Sequence, residues 1–228
     1  MLPVNTDLKD RARQLGYQSI YIGTEPTLSL EQYDPNLDQI PNARNLYNKG
    51  VRVKEVKWAD FSPELICDAN KICQDWLNNL RMTPLSFLNK VLPWELGSEK
   101  RYFFLETSQN TLMAFLVAVP IPTRQGWYLV DCLRGTHCPV GTSELLTLEA
   151  MRLLKESGAK EATLGVSPLA EMSSQKLQHP VFLYRLLSFV FHRLQFFYRF
   201  KSLYEFKIKF RPTSCEPAYL IYSPGSLT

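Results

Sequence analysis

Seven Lys or Arg residues (185, 193, 199, 201, 207, 209 and 211) stand between residues 182 and 211 against a single acid, Glu205. That +6 exceeds the whole-chain charge of +4, so the rest of the protein sums to −2. The same stretch carries eight Phe and three Tyr. Cations interleaved with aromatics fit a phosphate-bearing partner, such as a nucleic-acid end or an anionic lipid headgroup; a buried aromatic helix with cations at its edges is the alternative. Arg185, Ser188, His192, Gln195 and Arg199 follow at steps of three and four, giving one polar stripe on an otherwise apolar helix predicted over 181–200. Asp131 and Arg134 close a strand and open a loop, either as a ligand-binding pair or as an ion pair that fixes the loop. Lys207 and Glu216 stand nine apart; Lys207 and Lys209 are also readable as cations alternating outward from a strand at 206–210.

Other chemistries find no support. The histidines at 137, 179 and 192 form no HxH or HExxH arrangement, and no metal site is expected. Cysteines 67, 73, 132, 138 and 215 are odd in number, and their two C-x5-C spacings suit neither zinc nor a redox pair, so they read as structural thiols. A GxSxG elbow and a P-loop are missing, which removes serine hydrolases and NTPases.

The elements that position these residues follow from period and punctuation. A charged helix at 7–15 ends at Gly16, and a strand occupies 18–22, followed by a loop with Pro26, Pro35 and Pro41. A helix at 42–48 precedes a strand at 51–56. Ser62-Pro63 starts a helix that runs to about Leu80 with apolar residues at three- and four-residue spacing. Strands at 101–106, 112–119 and 126–133 come in series, then a helix from Thr142 or Ser143 to Gly158, then a strand at 162–166. Antiparallel strands followed by strand–loop–helix–strand is the order of the GNAT-like acyltransferase fold, an α/β (α+β) class. Thr142 reads as a plain helix cap in preference to a ligand. The spacing from Arg134 to Thr142 lacks the glycine-rich pyrophosphate loop of coenzyme A enzymes.

The 228 residues, 45% hydrophobic and 12% aromatic, suffice for a core without metal or disulfide staples and exclude disorder and coiled coil. The longest apolar heart, 112–121, is too short to cross a bilayer as a helix. The start MLPVNTDLKDR shows no secretory pattern, and a cytoplasmic location is expected.

Several stretches together resemble one known family. They are NARNLYNKGVRV at 42–53, VDCLR at 130–134 with PVGT at 139–142, LGVSPL at 164–169, and FKIKF at 206–210 followed by Pro212 and Glu216-Pro217-Ala218-Tyr219-Leu220. The resemblance, from about residue 20 to 222, is to the C-terminal catalytic domain of bacterial phosphatidylglycerol lysyltransferases. It implies two consecutive GNAT-like lobes, of which residues 1–55 would be the remnant of the first and 56–228 the complete catalytic lobe. It implies transfer of an aminoacyl group from charged tRNA to phosphatidylglycerol or a related acceptor, with no cofactor. Its partners would be aminoacyl-tRNA and an anionic phospholipid reached from the cytoplasmic side without a transmembrane segment. By the same resemblance Asp131 would hold the aminoacyl ammonium, Arg134 would order that site, Lys207 would neutralise a phosphate or the oxyanion, and Glu216 would orient it. Thr142, Ser167, Tyr184, Arg185, Arg199 and Arg211 are the accompanying substrate-binding candidates. Cys215 and Ala218 stand where the family's tail has Trp and Arg. A coenzyme A-dependent N-acyltransferase and a non-catalytic remnant are the alternatives.

Overall fold

The computed structural model describes residues 4–34, 40–79, 93–168 and 200–223. The chain divides into two compact units, Leu28–Thr163 and the combination of Met1–Thr27 with Leu164–Thr228.

The unit 28–163 is built on a sheet whose apolar runs dictate its burial. Strands β3 (Arg101–Glu106), β4 (Leu112–Ile121) and β5 (Gly126–Arg134) pair antiparallel in chain order, as their serial spacing predicts. Tyr102, Phe103, Phe104 and Leu105 are all fully buried, which a sheet wetted on one face would not allow. Helix α3 (Pro63–Asn78) covers one face, packing Ala69, Ile72 and Cys73 against Tyr102, Phe104, Phe115, Val117 and Leu133. Its start is the predicted one: the Ser62 hydroxyl accepts from the Leu65 amide at 3.1 Å, with Pro63 in the first turn. Helix α4 (Thr142–Glu156) lies on the other face, where Thr147 meets Cys132. β2 (Arg52–Val56), antiparallel to β3, and β6 (Glu161–Thr163), parallel to β5 and reached through α4, are the other strands of this unit. This run of antiparallel strands, helix and parallel return strand is the expected GNAT-like order.

Helix α2 (Pro41–Asn48) packs on α4 in the same unit. The N-cap of α4 is Gly141, not Thr142, with φ at 98° in the left-handed region. A Cβ there would stand 2.6 Å from the Asn42 backbone. Two of the family-like stretches, at 42–53 and 139–142, therefore meet at a contact only glycine permits. Gly141→Ala is expected to cost about 3 kcal/mol or more in a urea titration, from dihedral strain plus backbone overlap. A change below about 1 kcal/mol would show that the two helices slide apart freely.

In the other unit β1 (Gln18–Ser29) carries β8 (Ser214–Tyr222) and the short β7 (Ser167–Pro168), both antiparallel to it. β1 runs seven residues beyond the predicted strand end at Ile22 and passes through Pro26, which the sequence reading placed in a loop. Helix α1 (Thr6–Gln14), capped by Asn5, packs on β8.

Helix α5 (Phe200–Ile208) overturns the strand expected at 206–210. Five residues reading F-K-I-K-F fit period two, but Phe206 and Phe210 also stand one helical turn apart, and their rings meet at 5.1 Å. A strand would put Lys207 and Lys209 on one side, whereas a helix turns them about 200° apart. Lys209 is exposed; Lys207 is 5% exposed. The strand predicted at 162–166 stops at Thr163. The helix predicted over 181–200 lies outside the described residues apart from its final residue, Phe200, which opens α5.

Candidate functional site

A buried lysine centres the polar chemistry of the β1–β7–β8 unit. Helix α5 places the Lys207 ammonium against the backbone just before β7, where Nζ donates to the Gly165 carbonyl at 2.9 Å and the Val166 carbonyl at 3.0 Å. An ammonium has three donors, and two are engaged here. Burial pushes the Lys207 pKa down to about 8, against the upward pull of the Glu25 carboxylate. The group is therefore mostly a cation at neutral pH, held in a poorly solvated place where its field acts strongly.

The strand register brings more polar groups to the same unit. Glu25 of β1 stands directly opposite Glu216 of β8, so the two carboxylates share a face. Glu25 is half-buried and Glu216 exposed. Thr24 is the direct partner of Ser167 in the β1–β7 pair. Both hydroxyls are buried, Thr24 being 3% and Ser167 0% exposed, and neither has a hydrogen-bond partner among the described residues. Thr24 and Glu25 are functional candidates that sequence reasoning missed. Pro26 was the reason: a nearby proline ended the predicted strand too early, although an edge or bulged strand accepts one. Arg211 follows α5 with its backbone in the left-handed region, φ 51°, and its side chain is exposed.

Asp131, Arg134 and Thr142 belong to the unit 28–163. The β4–β5 register runs from Ala118 opposite Leu129 to Val117 opposite Asp131, so Val130 is an extra bulged residue. Beyond the bulge Asp131 lies on the face of Leu133, which packs under α3, while Cys132 faces α4. Burial raises the Asp131 pKa, moderated by the positive charge of Lys100. Cys73 on α3 reports the same neighbourhood: burial and then the Asp131 charge push its thiol up to about 11. Among the described residues no ion pair joins Asp131 to Arg134. Three residues apart, they point to opposite faces, and Arg134 instead reaches the Cys138 carbonyl at 3.4 Å. Of the two readings, the ion pair that fixes the loop is not formed among the described residues, and Arg134 makes a contact with backbone instead. Thr142 is fully buried and its hydroxyl donates to the Pro139 carbonyl at 2.8 Å. Tyr184, Arg185 and Arg199, with the rest of the polar stripe, lie outside the described residues.

Chemically, one unit offers a desolvated cation with neighbouring hydroxyls and carboxylates; the other offers a half-buried carboxylate on a bulged strand. Among the described residues no helix is long and apolar enough to cross a membrane.

Comparison with known proteins gives the ancestry. The fold is similar to L-PGS from Bacillus licheniformis, with a TM-score of 0.72 at 18% identity, over 97% of this chain and 66% of that one. It is also similar to the C-terminal domain of a candidate lysylphosphatidylglycerol synthetase from Agrobacterium fabrum, with a TM-score of 0.73 at 20% identity and the same coverages. A conserved protein of unknown function from Bacteroides thetaiotaomicron follows at a TM-score of 0.61 and 8% identity, over 96% of this chain and 67% of that one. The chain thus spans just under two thirds, 66%, of the first two structures. No curated protein matches it. The family model described as phosphatidylglycerol lysyltransferase, C-terminal, matches residues 1–222, and the chain belongs to that family.

Proposed function

We propose that this chain is an aminoacyltransferase that moves a lysyl or similar aminoacyl group from charged tRNA to phosphatidylglycerol or a related acceptor. The reading rests on family membership, and the observation that carries it into the structure is the Lys207 ammonium, buried and anchored on two carbonyls. The donor is already an activated ester, so what is needed is alignment, proton transfer and stabilisation of the tetrahedral oxyanion. The glycerol oxygen forms a bond to the aminoacyl carbonyl carbon, the bond from that carbon to the ribose oxygen of tRNA breaks, and the glycerol proton ends on the ribose oxygen. Lys207 directs its remaining N–H at the developing oxyanion or a substrate phosphate, and Glu216 orients it from β8. Asp131 receives the ammonium of the aminoacyl group. Arg134, Arg211 and, from the stretch outside the described residues, Tyr184, Arg185 and Arg199 contact phosphates and headgroup, and Ser167 contacts the aminoacyl donor. Lipid is met peripherally, from the cytoplasmic side.

The test is incubation of the chain with radiolabelled lysyl-tRNA and phosphatidylglycerol vesicles, followed by thin-layer separation of the lipid. The expected product is a labelled, cationic aminoacyl lipid that forms without coenzyme A. Label that stays in the aqueous phase with every aminoacyl-tRNA supplied, or an acyl transfer that needs acetyl-coenzyme A, overturns the proposal.

A further inference from the structure

Two fully buried hydroxyls without partners among the described residues are a cost that folding alone does not explain. A buried polar atom left unsatisfied gives up its hydration with nothing in return, and native structures hold few of them. Here the two, Thr24 Oγ1 and Ser167 Oγ, are not scattered. They belong to residues that stand directly opposite each other in the β1–β7 pair, so both side chains rise from the same face of the sheet. They bond neither each other nor the backbone around them.

The surroundings fix the kind of ligand. Lys207 Nζ is 3.0 Å from the carbonyl of Val166, whose peptide leads directly into Ser167. Standard bond lengths then hold the ammonium within about 6 Å of the Ser167 Cα. The Glu25 carboxylate acts on the same ammonium, so the choice of ligand falls to the hydroxyl donors themselves. Thr and Ser each have one O–H to donate, and two donors on neighbouring strands match the two oxygens of an ester or carboxyl group.

We propose that Thr24 and Ser167 form a donor pair that binds the ester group of the aminoacyl substrate, a site that uses two hydroxyls left unpaired by the fold. The proposal rests on the aminoacyl-transfer reading and adds Thr24, which lies far from the tail motif in sequence, to the groups that touch substrate. It also predicts an inverse relation between stability and function, because apolar replacement removes an unsatisfied group while deleting a ligand contact.

The experiment compares wild type with Thr24→Val, Ser167→Ala, the double variant and Thr24→Ser, which keeps the hydroxyl. Melting is followed with and without L-lysine methyl ester, and transfer from lysyl-tRNA to phosphatidylglycerol vesicles is measured in parallel. For Thr24→Val and Ser167→Ala the melting points should lie at or above wild type, and the ester-induced upward shift should be lost. In each of these two variants kcat/KM should fall at least about tenfold, equivalent to one missing hydrogen bond to substrate. Thr24→Ser should retain both shift and transfer. Unchanged shift and unchanged transfer in the variants overturn the donor pair, leaving the hydroxyls to a buried water or to none. A wild type that does not respond to the ester overturns it as well. If Thr24→Val and Ser167→Ala melt far below wild type, Thr24→Ser decides: loss of shift with the hydroxyl present refutes the proposal. Loss of the ester shift in the variants of a protein whose wild type transfers nothing from any aminoacyl-tRNA leaves the site standing and removes the reaction assigned to it.

Discussion

Lys207→Met should lower kcat for lysyl transfer about 10²–10³-fold, the usual consequence of removing one fixed donor from a developing oxyanion. KM should move much less, since the charge acts mainly as the tetrahedral centre forms. Methionine preserves length and roughly the volume of the side chain, so α5 keeps its place, although the Gly165 and Val166 carbonyls lose their donor. A second signature is independent of activity. In the folded protein the ammonium titrates at about 8, against an ordinary 10.5. Between those values the unfolded chain binds the proton and the folded one has released it, so stability rises with pH across that window. Below about pH 8 both states are charged and the full burial cost, about 3 kcal/mol, is present. Urea midpoints at about pH 7.5 and about pH 10, on either side of most of that window, should therefore rise for wild type by more than for the Met variant. Parallel midpoints in the two proteins would show that the ammonium is not titrating in a buried place, and a variant with wild-type kcat would show that it does not act on the oxyanion.

Asp131→Asn is the other large effect: transfer from lysyl-tRNA is expected to fall below about 1% of wild type, because an amide cannot balance the substrate's ammonium in a site with little water. Stability should move the opposite way. Burial raises the Asp131 pKa, so the folded protein holds the proton more tightly than the unfolded chain. Ionisation is then a penalty on folding that is absent below the ordinary carboxylate range and grows as pH rises through the raised value. Asparagine never ionises. The variant should melt at or above wild type at about pH 7 and show a smaller change between about pH 4 and 7. Retained transfer would take Asp131 out of the site. A variant that melts well below wild type at neutral pH would mean the carboxylate is held by a structural partner.

What the sequence settled by itself was the central framework of the unit 28–163. The strand 101–106 was predicted to its final residue, 112–119 and 126–133 to within two, and the helix starts at Ser62-Pro63 and Thr142 stand where expected. Those features are local: apolar runs of strand length, a hydroxyl ahead of proline, a glycine at the end of a helix. The family-like stretches were equally legible, because they are strings of residue types. The site was not. Whether Lys207 is an exposed cation or a buried one turns on helix against strand at 206–210, and five residues satisfy both periods. Whether Asp131 and Arg134 meet turns on a bulge at Val130 and on which helix covers which face. Thr24 meets Ser167, and Glu25 meets Glu216, only through the register of β1 with β7 and β8, between residues more than 140 positions apart. Composition carries no record of such pairings. They are selected by the burial of whole strands and helices against one another, and that selection belongs to the folded chain.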